Sequence, residues 1–379
     1  MHGVSMKYPL AAPDAIPQAD LDALADWLKG GPHLTMASLC RRFEEEFAAW
    51  LGRNHAIFCN SGSAANWLMT LALKWIRPDI TALRVPAIGW STTISPALAL
   101  GYGIEFLDAD ADTWGIGPTV SGPMAVIGVP VLGVPCAVAN GIYLEDACAA
   151  LGSTSGGRKC GTFGAMASFS FYFSHQISTI EGGMVVTDDA LQADILRMLR
   201  AHGWAVDLEP EREARWWGRT TIRWDFDRRF TFYAPGMNAR PTELQGFLGL
   251  RQMARIDHMV ARRVANDLRY RKNLAGAEHL AIQKPEAGDQ VCSIAVGVLA
   301  ASPEHRAKVA YALGQAGIET RPVGGGNLAR QPFVNRAYQA DKCPMADEIG
   351  RRGMQLPNGP HLAEADVDFI CETVLKVKP

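Results

Sequence analysis

The sequence lacks closely spaced cysteines. Its 379 residues include eight cysteines, but no two of them form a CxC or CxxC pair. Zinc sites and iron–sulfur clusters usually need thiolates at such short spacings, so we predict neither, and no metal site of another kind. Scattered cysteines within apolar runs are typical of a reducing compartment, and we therefore expect the protein to be cytoplasmic.

The sequence also lacks long apolar runs and an excess of charge of either sign. No stretch approaches the roughly 18 uninterrupted apolar residues of a membrane span. The first twenty residues do not have the basic and apolar segments of a signal peptide, so we expect none. A formal net charge of −2 argues against bulk attraction to nucleic acid or a membrane surface. With 48% hydrophobic and 20% charged residues, the composition is that of a globular protein with a substantial core.

Short apolar runs alternate with helical patterns over the first two thirds of the chain. The run HAIFCN, for example, precedes the helical pattern SGSAANWLMTLALKW. This alternation predicts an α/β fold with a mainly parallel central sheet and helices on both faces. From about residue 255 the pattern changes to long helices and a few strands. We predict an N-terminal segment and a large α/β domain over 1–254, and a small C-terminal α+β domain over 255–379.

Three predicted strand ends carry side chains suited to a ligand. Ligands of α/β sheets bind at the carboxyl ends of the strands. In NSGSAAN, Ser61 or Ser63 is either a helix N-cap or part of a phosphate site. Asp146 ends the run GIYLED and is either an exposed turn carboxylate or the acidic partner of a ring nitrogen. Trp90 either packs in a core or interface, or stacks on a flat cofactor.

Two further segments contain arginines that could meet an anion. The segment RPVGGGNLARQP has three consecutive glycines, which either let the backbone approach a ligand or form a surface loop. Residues 207–229 are dense in charge and tryptophan. They either contact a diphosphate and a base or form a solvated excursion at a subunit interface. In the second segment, the arginines that could contact the diphosphate are Arg212, Arg215, Arg219 and Arg223.

The order of the motifs is more specific than any one of them. NSGSAAN, VPAIGWSTTISP, LEDACAALG, SFSFYFSHQISTIEGGMVVT, LRAHGW and PGMNARPTELQGFLGLRQM follow one another along the chain. In this order the chain resembles the DegT/DnrJ/EryC1/StrS sugar aminotransferases, from about residue 20 onward. The resemblance implies the fold of the fold-type I enzymes that depend on pyridoxal 5′-phosphate (PLP), with the large domain over 1–254 as the cofactor-binding domain.

The resemblance implies positions for the cofactor phosphate. Gly62 and Ser63 would present backbone and hydroxyl groups to it, and Ser170 would be a second hydroxyl ligand. Asn238 would reach the phosphate of the cofactor in a neighbouring subunit, which implies a homodimer with shared active sites. At the cofactor ring, Asp146 would pair with the pyridine nitrogen and Trp90 would lie against the ring. As substrate-binding positions we select Arg219, Arg321 and Asn327.

The chain departs from the aminotransferases at His175, where they have the lysine that forms a Schiff base with PLP. No lysine lies between Lys159 and Lys272, so no close neighbour replaces it. A second departure is Ala149, where many relatives have Gln or His. Imidazole can accept and donate protons, but only an amine condenses with the aldehyde to a stable imine. We therefore expect PLP, or its amine form pyridoxamine 5′-phosphate (PMP), to be bound non-covalently, with His175 as the acid–base residue.

The sugar 3-dehydratases of this family share the histidine replacement. By resemblance, the protein would be a lyase that removes the C3 hydroxyl of a nucleotide-linked 4-keto-6-deoxy sugar through a PMP ketimine. Glutamate, as amino donor, would recharge the cofactor. A related dehydrase that needs an iron–sulfur cluster is set aside because its closely spaced cysteines are missing. A nucleotide-sugar aminotransferase, or a catalytically inactive relative that binds vitamin B6 or a nucleotide sugar, remains an alternative.

Overall fold

The computed structural model describes residues 6–117, 124–138, 140–222, 224–334 and 342–379. Within these ranges the large part of the molecule contains nine strands. They are β1 (His55–Cys59), β2 (Ala82–Pro86), β3 (Gly103–Leu107), β4 (Ala125–Gly128), β5 (Tyr143–Asp146), β6 (Thr154–Ser155), β7 (Arg158–Lys159), β8 (Met166–Ser170) and β9 (Gly183–Thr187). Strands β6 and β7 form a separate two-stranded hairpin.

The central sheet confirms the predicted mainly parallel arrangement. Among the described strands its order is β1-β9-β8-β5-β4-β2-β3. The five neighbouring strands β3, β2, β4, β5 and β8 pair in parallel. Strand β9 pairs antiparallel with both β8 and β1. The carboxyl ends of β2, β4, β5 and β8 therefore meet at one edge of the sheet, which is where ligands of such sheets bind.

Helices cover both faces of the sheet. Those of the large part are α1 (Gln18–Lys29), α2 (Ser38–Leu51), α3 (Gly62–Ile76), α4 (Ser91–Ala99), α5 (Ala190–Arg200), α6 (Pro210–Trp217) and α7 (Glu243–Met253). Helices α3, α4 and α5 bury one apolar cluster against the sheet, and α2 and α7 lie over a second cluster rich in phenylalanine. Because side chains alternate across a strand, Ile57 and Phe58 of β1 enter different clusters.

The C-terminal part is built on an antiparallel sheet. Its described strands are ordered β10-β11-β13-β12. They are β10 (Leu280–Ile282), β11 (Ala295–Ala300), β12 (Arg321–Pro322) and β13 (Gly353–Pro357), and the helices are α8 (Ile256–Leu274), α9 (Pro303–Gln315), α10 (Pro344–Arg352) and α11 (Glu364–Lys376). The helical region after residue 240 consists of two helices, α7 and α8. A domain boundary at 254/255 stays a prediction, and it falls between these helices.

The N-terminal segment contacts the C-terminal part of the chain. Tyr8 forms a parallel bridge with Ile318, and the backbone N–H of Leu10 donates to Glu319 Oε2 over 2.8 Å. Tyr8 also lies 5.6 Å from Phe369, measured between ring centroids. The segment therefore runs along the small sheet before the chain enters the large part.

Residues 207–229 form two short helical pieces. These are α6 and a 3-10 helix over Asp225–Phe230, while Arg223 lies outside the described residues. Across the described ranges, no helix combines the length and apolar character needed to cross a membrane.

Candidate active site

A cavity of about 580 Å³ opens at the carboxyl edge of the central sheet, against the small sheet. Of the residues predicted from the sequence, those that line it are Gly62, Ser63, Trp90, Asp146, Ser170, His175 and Arg321. The described lining does not include Arg219, Asn238 or Asn327, and it contains no lysine. Residues that are 259 positions apart in sequence, from Gly62 to Arg321, thus meet in one space.

Asp146 ends β5, and its carboxylate is held by two other elements. The side chain is 4% exposed. Thr93 Oγ1 of α4 donates to Asp146 Oδ2 over 2.6 Å, and Asn66 Nδ2 of α3 donates to the same oxygen over 2.8 Å. Ser168 Oγ donates to Asn66 Oδ1 over 2.5 Å, which orients the Asn66 amide with its nitrogen toward Asp146. The carboxylate is therefore fixed in direction before any ligand binds.

Asn66 and Thr93 were not predicted from the sequence. Each is a polar residue in the first turns of its helix, and each is buried beside apolar residues such as Ala65 and Ile94. A buried polar side chain usually has a specific partner, and that is the one indication the sequence contained. The partner itself, 80 and 53 residues away, depends on the sheet order.

The first turn of α3 and the end of β8 form a small cradle. Ser61 caps the helix, because its Oγ accepts from the Ala64 N–H over 3.0 Å. The N-terminus of a helix presents unpaired N–H groups and partial positive charge, which favour an anion. A Cβ on Gly62 would lie 2.5 Å from Ser170 Cβ, so only glycine allows this approach. Ser61 is therefore the helix N-cap, and the turn that it caps faces the cavity. The role of this turn as a phosphate site stays a prediction.

His175 lies in the turn between β8 and β9, with one ring nitrogen occupied. Its Nδ1 is 2.7 Å from the carbonyl oxygen of Cys148, and a carbonyl can only accept, so Nδ1 carries the proton. Nε2 of the neutral ring is then an acceptor. Burial lowers the pKa of His175 to about 4, a direction that Arg263 reinforces and that the Cys148 carbonyl and Asp146 oppose. At neutral pH the ring is a neutral base.

Two buried side chains hold the backbone around His175. Gln176 Nε2 donates to the carbonyl oxygens of Ala149 and Cys292 over 2.8 and 2.9 Å. Arg263 Nη2 of α8 donates to the His175 carbonyl oxygen over 3.1 Å. These hydrogen bonds hold the turn to the segment after β5 on one side and to the C-terminal part of the molecule on the other.

The rim of the cavity carries Trp90 and Arg321. Trp90 is the N-terminal flanking residue of α4 and is 63% exposed, so its ring is not part of a core within this chain. Arg321 Nε and Nη2 donate to Glu319 Oε1 over 3.0 and 2.7 Å. Glu319 also accepts from the N-terminal segment at Leu10, so the segment, Glu319 and Arg321 form one connected wall.

Three predicted site residues lie elsewhere. Asn238 is exposed, and its Oδ1 accepts from Arg240 Nε over 3.2 Å. Arg219 lies over the ring of Trp216, 4.9 Å from its centroid. Asn327 is 6% exposed and caps a 3-10 helix, where its Oδ1 accepts from the Ala329 N–H over 3.0 Å. The roles of all three stay predictions, and Asn327 already uses its polar atoms within the fold.

A sequence model of the DegT/DnrJ/EryC1/StrS aminotransferase family matches residues 14–375. The chain belongs to this family. A GDP-4-keto-6-deoxy-D-mannose 3-dehydratase of Yersinia pseudotuberculosis is 30% identical over 94% of this chain and 95% of its own length.

Two solved structures of GDP-4-keto-6-deoxymannose 3-dehydratase are also similar. One, with a trapped PLP–glutamate geminal diamine, has a TM-score of 0.86 at 28% identity and covers 97% of this chain and 100% of that chain. The other, from E coli with bound hydrated PLP, has a TM-score of 0.87 at 27% identity and covers 98% and 100%. These values confirm the predicted family and fold.

Proposed function

We propose that this protein is a PLP/PMP-dependent lyase that removes the C3 hydroxyl of a nucleotide-linked 4-keto-6-deoxy sugar. The observation that carries the proposal is His175, a neutral base that faces the cavity where the family's aminotransferases have lysine. The similarity to two 3-dehydratases over nearly the whole chain supports it. GDP-4-keto-6-deoxymannose is the first substrate to test, and glutamate the first amino donor.

The cavity has the donor and acceptor groups that the cofactor needs. The carboxylate of Asp146 is an acceptor fixed in direction, suited to a protonated ring nitrogen. The first turn of α3, with Ser63 and the Ser170 hydroxyl beside Gly62, suits a phosphate dianion. Trp90 offers an exposed aromatic face at the rim. We propose these five residues as the cofactor-binding set.

When bound, PMP supplies an amine that condenses with the sugar ketone and a ring that withdraws electrons from the adjacent C–H bond. His175 Nε2 is the acceptor in the cavity that can take the proton from that carbon, since Nδ1 is committed to the Cys148 carbonyl. The same nitrogen, once protonated, can donate to the departing C3 hydroxide. The Asp146 carboxylate would accept a hydrogen bond from a protonated ring nitrogen and so would favour the ring as an electron acceptor.

We further propose that Arg321 contacts the sugar or its diphosphate, because it lines the cavity and donates readily to anionic oxygens. The Glu319 carboxylate holds its guanidinium in place. Arg219 lies outside this cavity, beside Trp216, and we keep it as a proposed contact to the nucleotide.

We propose a homodimer in which Asn238 serves the cofactor of the partner subunit. Asn238 is exposed and outside the cavity of its own chain. The same region exposes large aromatic side chains that a second copy would cover: Phe226 is 93%, Trp224 74% and Phe230 70% exposed. We also propose that the protein works in the cytoplasm, since its eight cysteines are free.

The function is tested with purified protein, PMP and GDP-4-keto-6-deoxymannose. The expected products are ammonia and a 3-deoxy-4-keto sugar, detected by a coupled ammonia assay and mass spectrometry. A His175→Asn variant is the control, because it keeps a polar side chain of similar size but has no titratable base, and it should release neither product. A 4-amino sugar without ammonia would point to an aminotransferase, and cofactor binding without turnover of any keto sugar would point to an inactive relative.

Shared active sites are tested by mixing two inactive variants. His175→Asn and Asn238→Ala subunits are each expected to be inactive alone. If Asn238 acts across the interface, mixed dimers contain one intact site, and activity returns toward about a quarter of the wild-type value on statistical mixing. No recovery, together with a monomeric mass in solution, would contradict the dimer proposal.

A further inference from the structure

Arg263 is a buried cation that has no role in the chemistry proposed above. It lies on α8 and is 1% exposed. Its guanidinium donates to backbone carbonyl oxygens of four residues. Besides His175, these are Ser293 at 3.2 Å, Ile294 at 3.4 Å and Asn358. One side chain thus joins the turn of the central sheet to the segments before β11 and after β13.

The charge of Arg263 has no carboxylate partner within the part of the chain that the structure describes. Salt bridges elsewhere in α8 use Arg269 and Arg271, and Asp267 is paired with Arg271. A buried cation without an ion pair costs free energy, and burial lowers the pKa of Arg263 to about 10. Carbonyl dipoles alone compensate it. An amide donor would satisfy one or two of these carbonyls without that cost, so the positive charge itself calls for an explanation.

We propose that Arg263 is a positioning residue for His175. It holds the turn between β8 and β9 against the C-terminal part of the molecule, and its charge opposes protonation of the imidazole. The inference rests on the proposed role of His175 as the base. The first effect follows from the bond between Arg263 Nη2 and the His175 carbonyl oxygen. The second follows from Coulomb repulsion between the buried Arg263 guanidinium and a protonated imidazole.

Other charged and titratable groups also face Arg263 and His175. Asp146 and the Cys148 carbonyl favour the protonated imidazole, so they act against Arg263. His361 lies near Arg263 from the segment after β13, and its pKa is lowered first by burial and then by Arg263. The remaining neighbours are Cys292 beside Arg263, Tyr172 in the turn, and Glu181 and Arg321 around the cavity. Of the two arginines near His175, Arg263 is the one that donates a hydrogen bond to it, at the backbone carbonyl oxygen.

The test separates the charge from the hydrogen bonds. Arg263→Lys keeps the charge with fewer donors, and Arg263→Gln keeps amide donors without the charge. Arg262→Gln is the matched control, because Arg262 is the preceding residue and donates to the Leu362 carbonyl over 2.9 Å, away from His175. The pKa of His175 is measured by NMR on protein labelled at histidine Cε1, without cofactor or substrate, and His175→Asn assigns its resonance.

In Arg263→Gln the pKa of His175 should rise by about one unit or more, and that of His361 should rise with it. In Arg263→Lys and Arg262→Gln the His175 pKa should stay near the wild-type value. In the active enzyme, the acid limb of kcat/KM should move to higher pH in Arg263→Gln alone, because the base is then lost at a higher pH. Arg263→Lys should lower kcat at least about tenfold, because the turn would be held less firmly and the His175 imidazole would be displaced from the proton that it takes.

An unchanged His175 pKa in Arg263→Gln, or an equal rise in Arg263→Lys, would overturn the inference. If Arg263→Gln does not fold, Arg263→Lys decides the question. A wild-type pKa of His175 in that variant supports the role of the charge, and a raised pKa of His175 contradicts it. Since the NMR titration needs no substrate, its result stands apart from the dehydratase assay. A protein that turns over no sugar can still confirm or reject the effect of Arg263 on His175.

Discussion

Replacement of Gly62 by alanine tests the cradle at the start of α3. The added Cβ would lie 2.5 Å from Ser170 Cβ, 2.8 Å from Ser170 Oγ and 3.2 Å from Cys148 Sγ. Carbon atoms in contact are normally about 3.5–4.0 Å apart. Ser170 or the first turn of α3 must therefore shift by about 1 Å, and both flank the proposed phosphate site.

The expected loss follows from two opposing effects. Overpacking a well-packed site costs about 1–3 kcal/mol. Alanine in a helix gains up to about 1 kcal/mol over glycine, so with this full offset the free energy of unfolding should fall by up to about 2 kcal/mol. Displacing even one charge-assisted hydrogen bond to the phosphate costs about 1.5–3 kcal/mol. Since about 1.4 kcal/mol is a factor of ten, the cofactor Kd should rise at least about tenfold.

Urea unfolding of the protein without cofactor and absorbance titration with PLP measure the two effects separately. Gly314→Ala is the matched control, because Gly314 lies in α9 and a Cβ added there would have no neighbouring atom within 4 Å. It should stabilise the protein by up to about 1 kcal/mol and leave the cofactor Kd unchanged. If Gly62→Ala matched the wild type in both measurements, the cradle would not be the phosphate site.

Three further outcomes are expected. His175→Lys, incubated with PLP and borohydride, should gain a covalent mass adduct by intact-protein mass spectrometry, because it supplies the amine that wild type lacks. Burial lowers the His175 pKa to about 4, so the ring loses its basic form only as the pH falls through that value. The acid limb of kcat/KM in a pH–rate profile should accordingly lie near pH 4 and not near the ordinary histidine value of about 6.5. Thr93→Val removes a donor from the buried Asp146 carboxylate and should lower the free energy of unfolding in urea by about 1.5–3 kcal/mol.

Each of these has a control or a contradicting result. Thr92→Val, one residue away, breaks a bond of 3.1 Å to the exposed Ser63 hydroxyl and should cost less than about 1 kcal/mol. Equal losses in the two valine variants would show that Asp146 does not depend on Thr93. A borohydride adduct on the wild-type protein would contradict non-covalent binding. An acid limb near the ordinary histidine pKa would mean that His175 is more hydrated than the structure indicates.

Local patterns were sufficient for the elements and for part of the site. The apolar run HAIFCN predicted β1, and the SGSAAN pattern predicted the start of α3, which the structure begins at Gly62. The prediction was good here because an N-cap and a helical repeat act over a few residues. Local patterns predicted no helix or strand for residues 207–229, where charged residues and tryptophans follow no clear period, and the structure has two short helical pieces there.

The sequence by itself determined the family, the mainly parallel sheet and the exchange of lysine for His175, since these depend on residue order and near neighbours. Tertiary structure alone decided what surrounds each group. Thr93, Asn66 and Arg263 contact the site across 53, 80 and 88 residues, and such hydrogen bonds arise only once the sheet order brings their elements together. The depressed pKa of His175 has the same origin, because burial and a cation from α8 are properties of the folded chain and not of the turn that carries the ring.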